Sequence, residues 1–291
     1  MATRIIPPSE LVINEDGSAF HLHLRPGQLA DRVILVGDPN RVTMIGTYLD
    51  ERELEVQSRE FHTITGYYQG KRVSVVSHGI GCDNIDIVLT ELDALANIDF
   101  QSRTVRPEFH QLSLVRIGTS GSLQADIPVG SYVVAQKSIG LDGVIYFYDG
   151  NERVRDLELE EALLRQLDWR IEGVRPYVVS ADLSLVEQIA GNDFARGMTM
   201  AANGFYGPQG RYLRLPLMDP ALNGKIERFC FREARVTNYE MESSALAGLA
   251  ALMGHRAMTV CCIIAGRVSK QMNTDYKDTM PDLIQKVLER I

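Results

Sequence analysis

The sequence has little of what marks secreted, nucleic-acid-binding and membrane proteins. Its 291 residues contain four cysteines at spacings that fit no zinc motif, and buried reduced thiols are their expected state. It has no dense block of Lys and Arg and a net charge of −8, so it lacks the electrostatic footprint for nucleic acid or an anionic membrane. An anionic ligand would have to be held by a few local arginines.

Long apolar runs are also missing. The longest, Ala257 to Ala265, is far too short to span a bilayer, and the first residues, MATRIIPPSE, lack the hydrophobic region of a signal peptide. We therefore expect a cytoplasmic protein. The rest of the composition, with 45% hydrophobic and 23% charged residues, is that of a globular protein with a sizeable core.

No linker or internal repeat interrupts the chain, whose length allows one large domain or two small ones. Residues 1–31 look irregular, and beyond them apolar runs alternate with segments of helical periodicity. We predict strands at 33–36, 72–77, 114–117, 131–136, 174–180, 198–201 and 259–265. We predict helices at 39–49, 83–96, 157–167, 184–190, 221–231, 240–253 and 281–291. This alternation indicates an α/β domain with ligand loops at the ends of its strands.

The first such loop follows the strand 33–36. Gly37 lets a backbone amide approach an anion closely, and Asp38 and Pro39 suit the N-cap and first residue of a helix. The helix N-terminus adds positive potential, and Arg41 adds a forked donor. The loop is a candidate anion site, although a plain strand–helix turn with a solvated arginine explains it too.

The second loop begins inside a strand. Arg116 stands in an apolar run, where an arginine is costly unless it is paired, and Thr119 and Ser120 offer hydroxyls among flexible glycines. Together they form a second candidate oxyanion site. A structural pair between Arg116 and a carboxylate is the alternative.

Two later segments carry groups suited to hydroxyls and planar rings. In 238–244, NYEMESS, a carboxylate can accept two adjacent hydroxyls, as a ribose presents them; acids that favour the helix macrodipole are the alternative. Gln209 and Arg211 are two residues apart, so they face the same side of an extended segment. They can bind a planar imide, with Phe205 covering the ring, and an ordinary polar loop is the alternative.

Taken in the order in which they follow one another along the chain, the four segments resemble the nucleoside phosphorylase superfamily and, within it, the uridine phosphorylases. The matching strings are GDPNR, RIGTSG, FYGPQGR and NYEMES, with SREF at 58–61 and SHGIG at 77–81. The resemblance runs from about Phe20 to Arg267 and implies one three-layer αβα domain over 1–291, with a central mixed β-sheet and an irregular lead at 1–31. It implies a pentosyltransferase of pyrimidine salvage that splits uridine, or also deoxyuridine and thymidine, with phosphate as co-substrate and no organic cofactor.

The resemblance also implies roles for individual residues. Phosphate would be bound by Gly37, Arg41, Arg116 and Thr119, and by Arg59 from a partner subunit. The ribose would be bound by Met241 and Glu242, and by His21 from a neighbouring subunit, with His23 as the competing histidine. The base would be bound by Phe205, Gln209, Arg211 and Arg267. The catalytic contacts would come from Arg116, Glu242, Gln209 and Arg211.

Several places depart from the family pattern, among them Gly266, where an asparagine is common. Asn84 stands where some bacterial members have a serine that helps bind potassium between subunits, while Glu60 and Ile80 still match that cation site. The N-terminal lead and residues 101–111 also fit the bacterial pattern poorly. The shared residues imply a homodimer at least, or a hexamer formed as a trimer of dimers, with no nucleic-acid or membrane partner.

Other functions use the same fold. A purine nucleoside phosphorylase is disfavoured because residues 264–267, IAGR, lack the aspartate that purine-specific relatives carry in this loop, and Arg267 matches the uridine type. A nucleosidase that uses water is disfavoured by the retained arginines. A catalytically silent nucleoside-binding protein is disfavoured by the full set of matching residues.

Overall fold

The computed structural model describes residues 4–267, 271–272 and 279–291. Its strands are β1 Arg32–Val36, β2 Glu51–Ser58, β3 Phe61–Tyr68, β4 Lys71–Ser77, β5 Ile98–Asp99, β6 Thr104–Val105, β7 Ser113–Ser122, β8 Tyr132–Gly140, β9 Tyr177–Ser180, β10 Ala195–Ala201, β11 Cys230–Phe231, β12 Ala234–Glu240, β13 Arg256–Gly266 and β14 Gln271–Met272. Its α-helices are α1 Pro39–Gly46, α2 Cys82–Asn97, α3 Leu157–Gln166, α4 Leu183–Ala190, α5 Leu222–Arg228, α6 Ser243–Met253 and α7 Met280–Arg290.

Helices cover both faces of the central sheet. On β1, Ile34 and Val36 point to one face and pack with residues of α1, α4 and α7. Val33 and Leu35 point to the other face and pack with residues of α2 and α6. Alternate side chains of a strand point to opposite faces, so a strand buried on both sides must be apolar throughout, as β1 is. The predicted three-layer αβα architecture is confirmed.

The sheet is mixed, as predicted. Its strand order is β11-β12-β10-β8-β13-β7-β1-β4-β3-β2, with β9 paired to β8 and β14 to β13. Strands β4, β1, β7 and β13 are parallel neighbours, whereas β13 and β8 are antiparallel. Within the described ranges, no helix is long and apolar enough to cross a membrane.

Five strands of this sheet form a closed ring. The carboxyl end of β12 also pairs with β7, with Asn238 opposite Ser122 and Tyr239 opposite Gly121. The ring therefore runs β7-β13-β8-β10-β12 and back to β7. This closure brings residues 118–122 against residues 238–242, which are far apart in the sequence.

Several predicted boundaries were wrong. Glu240 is the last residue of β12, so the helix predicted over 240–253 begins only at Ser243. The helix predicted over 221–231 ends at Arg228, and a short strand, β11, follows it. The helix after Asp38 ends at Gly46, three residues before Leu49.

Strands β2, β3 and β12 were not predicted. Strand β2 reads ERELEVQS and lies at an edge of the sheet, where its charged side chains reach solvent. Strand β12 is polar in sequence but buried, because Thr237 and Asn238 hydrogen-bond to neighbouring strands. Apolar runs therefore identified the central strands and missed those whose polar groups have partners.

Candidate active site

One cavity of about 710 Å³ lies where the carboxyl ends of several strands meet. It is lined by residues that follow or end β1, β4, β7, β10, β12 and β13. Most of the predicted site residues line it, namely Gly37, Arg41, Arg116, Thr119, Phe205, Gln209, Arg211, Met241 and Glu242. His21 and Arg59 do not, and Arg267 lies just behind its lining.

One end of the cavity is formed by two glycine turns and the start of α1. The Asp38 side chain caps this helix by accepting from the Asn40 amide at 2.9 Å. Gly37 lies so close to the turn after β4 that a Cβ there would be 3.2 Å from the Gly79 carbonyl oxygen. Arg41 is buried and donates to the Ile117 carbonyl at 3.3 Å. Backbone amides, a helix N-terminus and a fixed guanidinium are the components of an oxyanion site.

Arg116 lies beneath this end and contacts two carboxylates. Its Nη1 lies 2.9 Å from Glu240 Oε2, and its Nη2 donates to Glu242 Oε2. Burial alone would lower the pKa of Arg116, but the charges of Glu242 and Glu240 raise it above the usual value. The alternative predicted from the sequence, an arginine–carboxylate pair, is therefore present in the structure, and the guanidinium also borders the cavity.

The two carboxylates have different surroundings. Glu240 accepts from the Glu242 and Ser243 amides and from Ser243 Oγ, at 2.6 to 3.1 Å, so it caps the start of α6. Glu242 accepts from the Gly81 amide at 2.8 Å and from Arg116. Burial raises the pKa of Glu242, and the charge of Arg116 opposes this rise. Glu242 therefore accepts fewer hydrogen bonds from its surroundings than Glu240 does.

His78 supports Arg116 from behind. Its Nε2 accepts from Arg116 Nε at 3.1 Å, so its proton is on Nδ1. Burial, followed by the charge of Arg116, lowers the pKa of His78 well below its usual range. Neither His78 nor Glu240 was predicted as a site residue, although both lie within the quoted strings SHGIG and NYEMES.

The other end of the cavity holds an amide between two arginines. Gln209 Oε1 accepts from Arg211 Nη1 at 2.6 Å and from Arg267 Nη2 at 3.1 Å. The Arg211 guanidinium lies 3.7 Å from the centre of the Phe205 ring, and the Arg267 guanidinium lies 4.9 Å from that of Tyr239. These planar groups suit a flat heterocycle with carbonyl oxygens.

Gln209 and Arg211 meet for a different reason from the one predicted. Residues 207–209 form a turn of 3₁₀-helix, so the segment is not extended. Burial, followed by the charge of Arg267, lowers the pKa of Arg211 to about 10. Neither arginine has an ion-pair partner in the described part of the chain, so this end has an excess of positive charge.

The remaining predicted residues lie outside the cavity of their own chain. Arg59 is exposed in the turn between β2 and β3 and has a positive φ of 54°. His21 hydrogen-bonds through Nδ1 to Glu91, and His23 is exposed. Their predicted transfer to a neighbouring subunit stays a prediction.

One oxygen of the predicted cation site already accepts a hydrogen bond. Glu60 and Ile80 line the cavity, but the Ile80 carbonyl accepts from Asn84 Nδ2 at 3.4 Å. An N–H donor at this oxygen disfavours a cation there. No group of three or more His, Cys, Asp or Glu side chains suited to a metal occurs among residues 4–267, 271–272 and 279–291. The potassium site stays a prediction from the sequence.

The cavity thus combines an oxyanion corner, a buried carboxylate and a corner for a flat heterocycle, at the strand ends of an α/β fold. Such a cavity is typical of a protein that binds small ligands and suits an anion next to a flat aromatic group. The chain belongs to the phosphorylase superfamily, whose family model matches residues 31–290.

Three relatives are similar to most of this chain. The uridine phosphorylase of Thermococcus kodakarensis is 32% identical over 265 residues, covering 88% of this chain and 80% of the relative. The uridine phosphorylase of Haemophilus influenzae is 30% identical over 263 residues, covering 87% and 88%. The DeoD-type purine nucleoside phosphorylase of Oceanobacillus iheyensis is 25% identical over 276 residues, covering 94% and 99%.

A solved structure is similar over nearly the whole chain. It is a nucleoside phosphorylase of Trypanosoma brucei described as showing uridine phosphorylase activity. Its TM-score is 0.88 at 29% identity, covering 96% of this chain and 98% of that one. A uridine phosphorylase of Phytophthora capsici, with a TM-score of 0.68, 23% identity and coverage of 99% and 98%, shares the fold.

Proposed function

We propose that this protein is a uridine phosphorylase, which converts uridine and phosphate to uracil and ribose 1-phosphate. The observation that carries the proposal is the Gln209 amide held between Arg211 and Arg267, in the same cavity as the arginine-lined oxyanion corner. The relatives named uridine phosphorylase support it, since they match across most of the chain.

Phosphate binds at the corner formed by Gly37, Arg41, Arg116 and Thr119. Arg116 stays protonated because the two carboxylates raise its pKa, so it supplies a fixed positive charge. Phosphate replaces part of the hydrogen bonding that Arg116 now gives to Glu242. Holding phosphate below the anomeric carbon converts a bimolecular attack into an intramolecular one, which lowers the entropic part of the barrier.

The ribose lies between the two ends of the cavity, beside Met241 and Glu242. Glu242 accepts hydrogen bonds from the 2′ and 3′ hydroxyls, and its negative charge, with that of phosphate, stabilises positive charge on the ribosyl ring. The departing uracil carries negative charge. Gln209 and Arg211 hydrogen-bond its oxygens, and the excess positive charge there favours the anion in the transition state.

The site is completed by a second subunit. Arg59 and His21 lie outside the cavity of their own chain, which supports their donation to a neighbour, Arg59 to phosphate and His21 to the ribose 5′ hydroxyl. The proposed assembly is a homodimer or a trimer of such dimers. The free state of Cys82, Cys230, Cys261 and Cys262 supports a reducing compartment, the cytoplasm.

Base release from a nucleoside panel, followed by ultraviolet absorbance with and without inorganic phosphate, tests the proposal. We expect uracil release from uridine only with phosphate, and slower release from inosine. Release without phosphate would identify a nucleosidase, and a preference for inosine would identify a purine nucleoside phosphorylase. Uridine binding in a calorimeter without base release would identify a silent binding protein.

A further inference from the structure

Glu91, a buried acid in α2, binds the segment that carries His21. Its carboxylate accepts from the backbone amides of His21, at 3.0 and 3.1 Å, and of Leu22, at 2.9 Å. It also lies 2.6 Å from His21 Nδ1. One side chain thus fixes both the backbone and the ring of His21.

These contacts define the tautomer of His21. An ionised carboxylate only accepts hydrogen bonds, so the Nδ1 of His21 carries a proton and donates it to Glu91. In the neutral ring, Nε2 is then an acceptor. It has no hydrogen-bond partner within the described chain, and the side chain is 27% exposed. The ring is flanked by Phe20 and Phe61, with centroids 4.8 and 6.1 Å away, which restrict its rotation.

His23 lacks this support. Its φ is 53°, its side chain is exposed, and within the described residues that side chain makes no hydrogen bond of the kind that Glu91 makes with His21. Leu22 and Leu24 on either side of it are buried with α2 in the core, so the backbone of the segment is fixed. Of the two histidines, only His21 is held in one orientation and one tautomer by a carboxylate.

We propose that Glu91 is a positioning residue that holds His21 with Nε2 outward, as the acceptor for the ribose 5′ hydroxyl of the nucleoside bound in the neighbouring subunit. This inference rests on the proposed function. Glu91 lies outside the cavity of its own chain, and it acts by fixing the direction and the tautomer of a ring that the next subunit uses. A carboxylate behind a histidine fixes tautomer and orientation in the same way at other sites.

Glu91→Gln tests the inference with two substrates, uridine and 5′-deoxyuridine, which lacks the hydroxyl that His21 would bind. The glutamine keeps the size of the side chain but places an NH₂ among donors. We expect kcat/KM for uridine to fall about tenfold, and kcat/KM for 5′-deoxyuridine to change by less than about twofold. His21→Ala should abolish the preference for uridine over 5′-deoxyuridine, measured as the ratio of their kcat/KM values. Adding Glu91→Gln to His21→Ala should cause no further change in that ratio.

A matched control lies on the same helix. Asp93 Oδ1 lies 3.0 Å from the buried His255 Nε2, so Asp93→Asn disturbs a similar carboxylate–histidine pair away from the cavity. It should lower the melting temperature without changing the ratio of kcat/KM for the two substrates. Equal losses for uridine and 5′-deoxyuridine in Glu91→Gln would overturn the inference and reduce Glu91 to a structural role. A wild-type protein that leaves uridine intact would instead overturn the proposed function.

Discussion

At the scale of single residues, one uncharged side chain, Gln209, holds two arginines together at one end of the cavity. Gln209 keeps Arg211 and Arg267 together although neither has an ion-pair partner among the described residues. Their mutual repulsion and burial lower the pKa of Arg211. Under the proposed function, an anionic leaving group at this end would relieve this repulsion, so the arrangement would stabilise the transition state more than the neutral nucleoside.

Gln209→Glu should therefore separate stability from activity. The new carboxylate pairs with both arginines, so the melting temperature should not fall. The same charge opposes the uracil anion, so kcat/KM for uridine should fall by about 100-fold or more. Steady-state phosphorolysis and thermal unfolding measure the two effects.

Gln124→Glu is the control for this substitution. Gln124 also accepts from an arginine, Arg235, at 3.3 Å, but it lies outside the cavity lining. The substitution Gln124→Glu should therefore leave kcat and KM for uridine unchanged. Unchanged kinetics in Gln209→Glu itself would show that Gln209 does not contact the base.

His78 gives the stability a pH dependence. Burial holds the pKa of His78 in the folded protein well below the ordinary histidine value of about 6.5. As the pH falls below that value, the unfolded chain binds a proton that the folded chain does not. The neutral histidine therefore stabilises the fold fully above about pH 6.5 and less at lower pH.

His78→Gln should remove this dependence, because glutamine can still accept from Arg116 and does not titrate. The difference in unfolding free energy between wild type and variant should shrink from about pH 7.5 to about pH 5.5, by at most about 1.4 kcal/mol. Urea unfolding at the two pH values measures it. A difference that is constant, or that grows as the pH falls, would contradict a neutral buried His78.

Some contacts in the cavity could be predicted from the sequence and others could not. Arg116 was a candidate because an arginine inside an apolar strand needs a partner. The different hydrogen bonding of Glu240 and Glu242 depends on where β12 ends and α6 begins, and the start of this helix was predicted wrongly. The contact of Gln209 with Arg211 was predicted from an extended segment and comes instead from a 3₁₀ turn.

At the scale of elements, β7 carries the oxyanion residues on a strand that continues through its glycines. It was predicted to end at Ile117 but runs to Ser122. Gly118 allows the Arg116 side chain to fold back, since a Cβ there would lie 2.7 Å from Arg116 Nη1 and 3.0 Å from Cys261 Sγ.

Gly118→Ala should displace the Arg116 guanidinium and weaken phosphate use. We expect KM for phosphate to rise and kcat/KM to fall by about tenfold or more, because a small misplacement of a charged contact is costly in catalysis. Gly173→Ala, where nothing lies within 4 Å of the added methyl group, should leave phosphorolysis unchanged. Normal phosphate kinetics in Gly118→Ala would argue against Arg116 as a phosphate ligand.

The elements found from the sequence were those with strong local signals. β1 and β13 are continuous apolar runs, and α1 begins with a side-chain cap from Asp38 followed by Pro39. β2 and β12 carry polar residues that solvent or neighbouring strands satisfy, so their burial depends on contacts remote in sequence. Such contacts leave no local pattern.

At the scale of the whole molecule, most of the predicted site residues line one cavity, and two of them lie outside it. Arg59 and His21 lie outside the cavity, and the proposed function gives each to a neighbouring subunit. If so, a mixed dimer can rebuild one complete site from two defective chains.

Arg59→Ala and Glu242→Gln should each be nearly inactive alone and should complement each other. In the mixed dimer, one cavity keeps Glu242 and receives the intact Arg59 of the other chain. Random reassortment of equal amounts should restore about a quarter of the wild-type activity. Co-refolded samples, with assembly checked by sedimentation, measure this, and refolding of each variant alone is the control. No recovery in mixed dimers would place Arg59 outside the neighbouring site.

The closed ring of β7, β13, β8, β10 and β12 has a consequence for how the protein acquires activity. Its closing contact, Tyr239 against Gly121, joins segments more than a hundred residues apart, and Arg116 on β7 contacts Glu242, which follows β12. A nascent chain that stops before β12 already contains Gly37, Arg41, Arg116 and Thr119, but it lacks Glu240 and Glu242, the carboxylates that hold the Arg116 guanidinium. Phosphate or uridine that binds only the completed site should therefore raise the melting temperature of the domain.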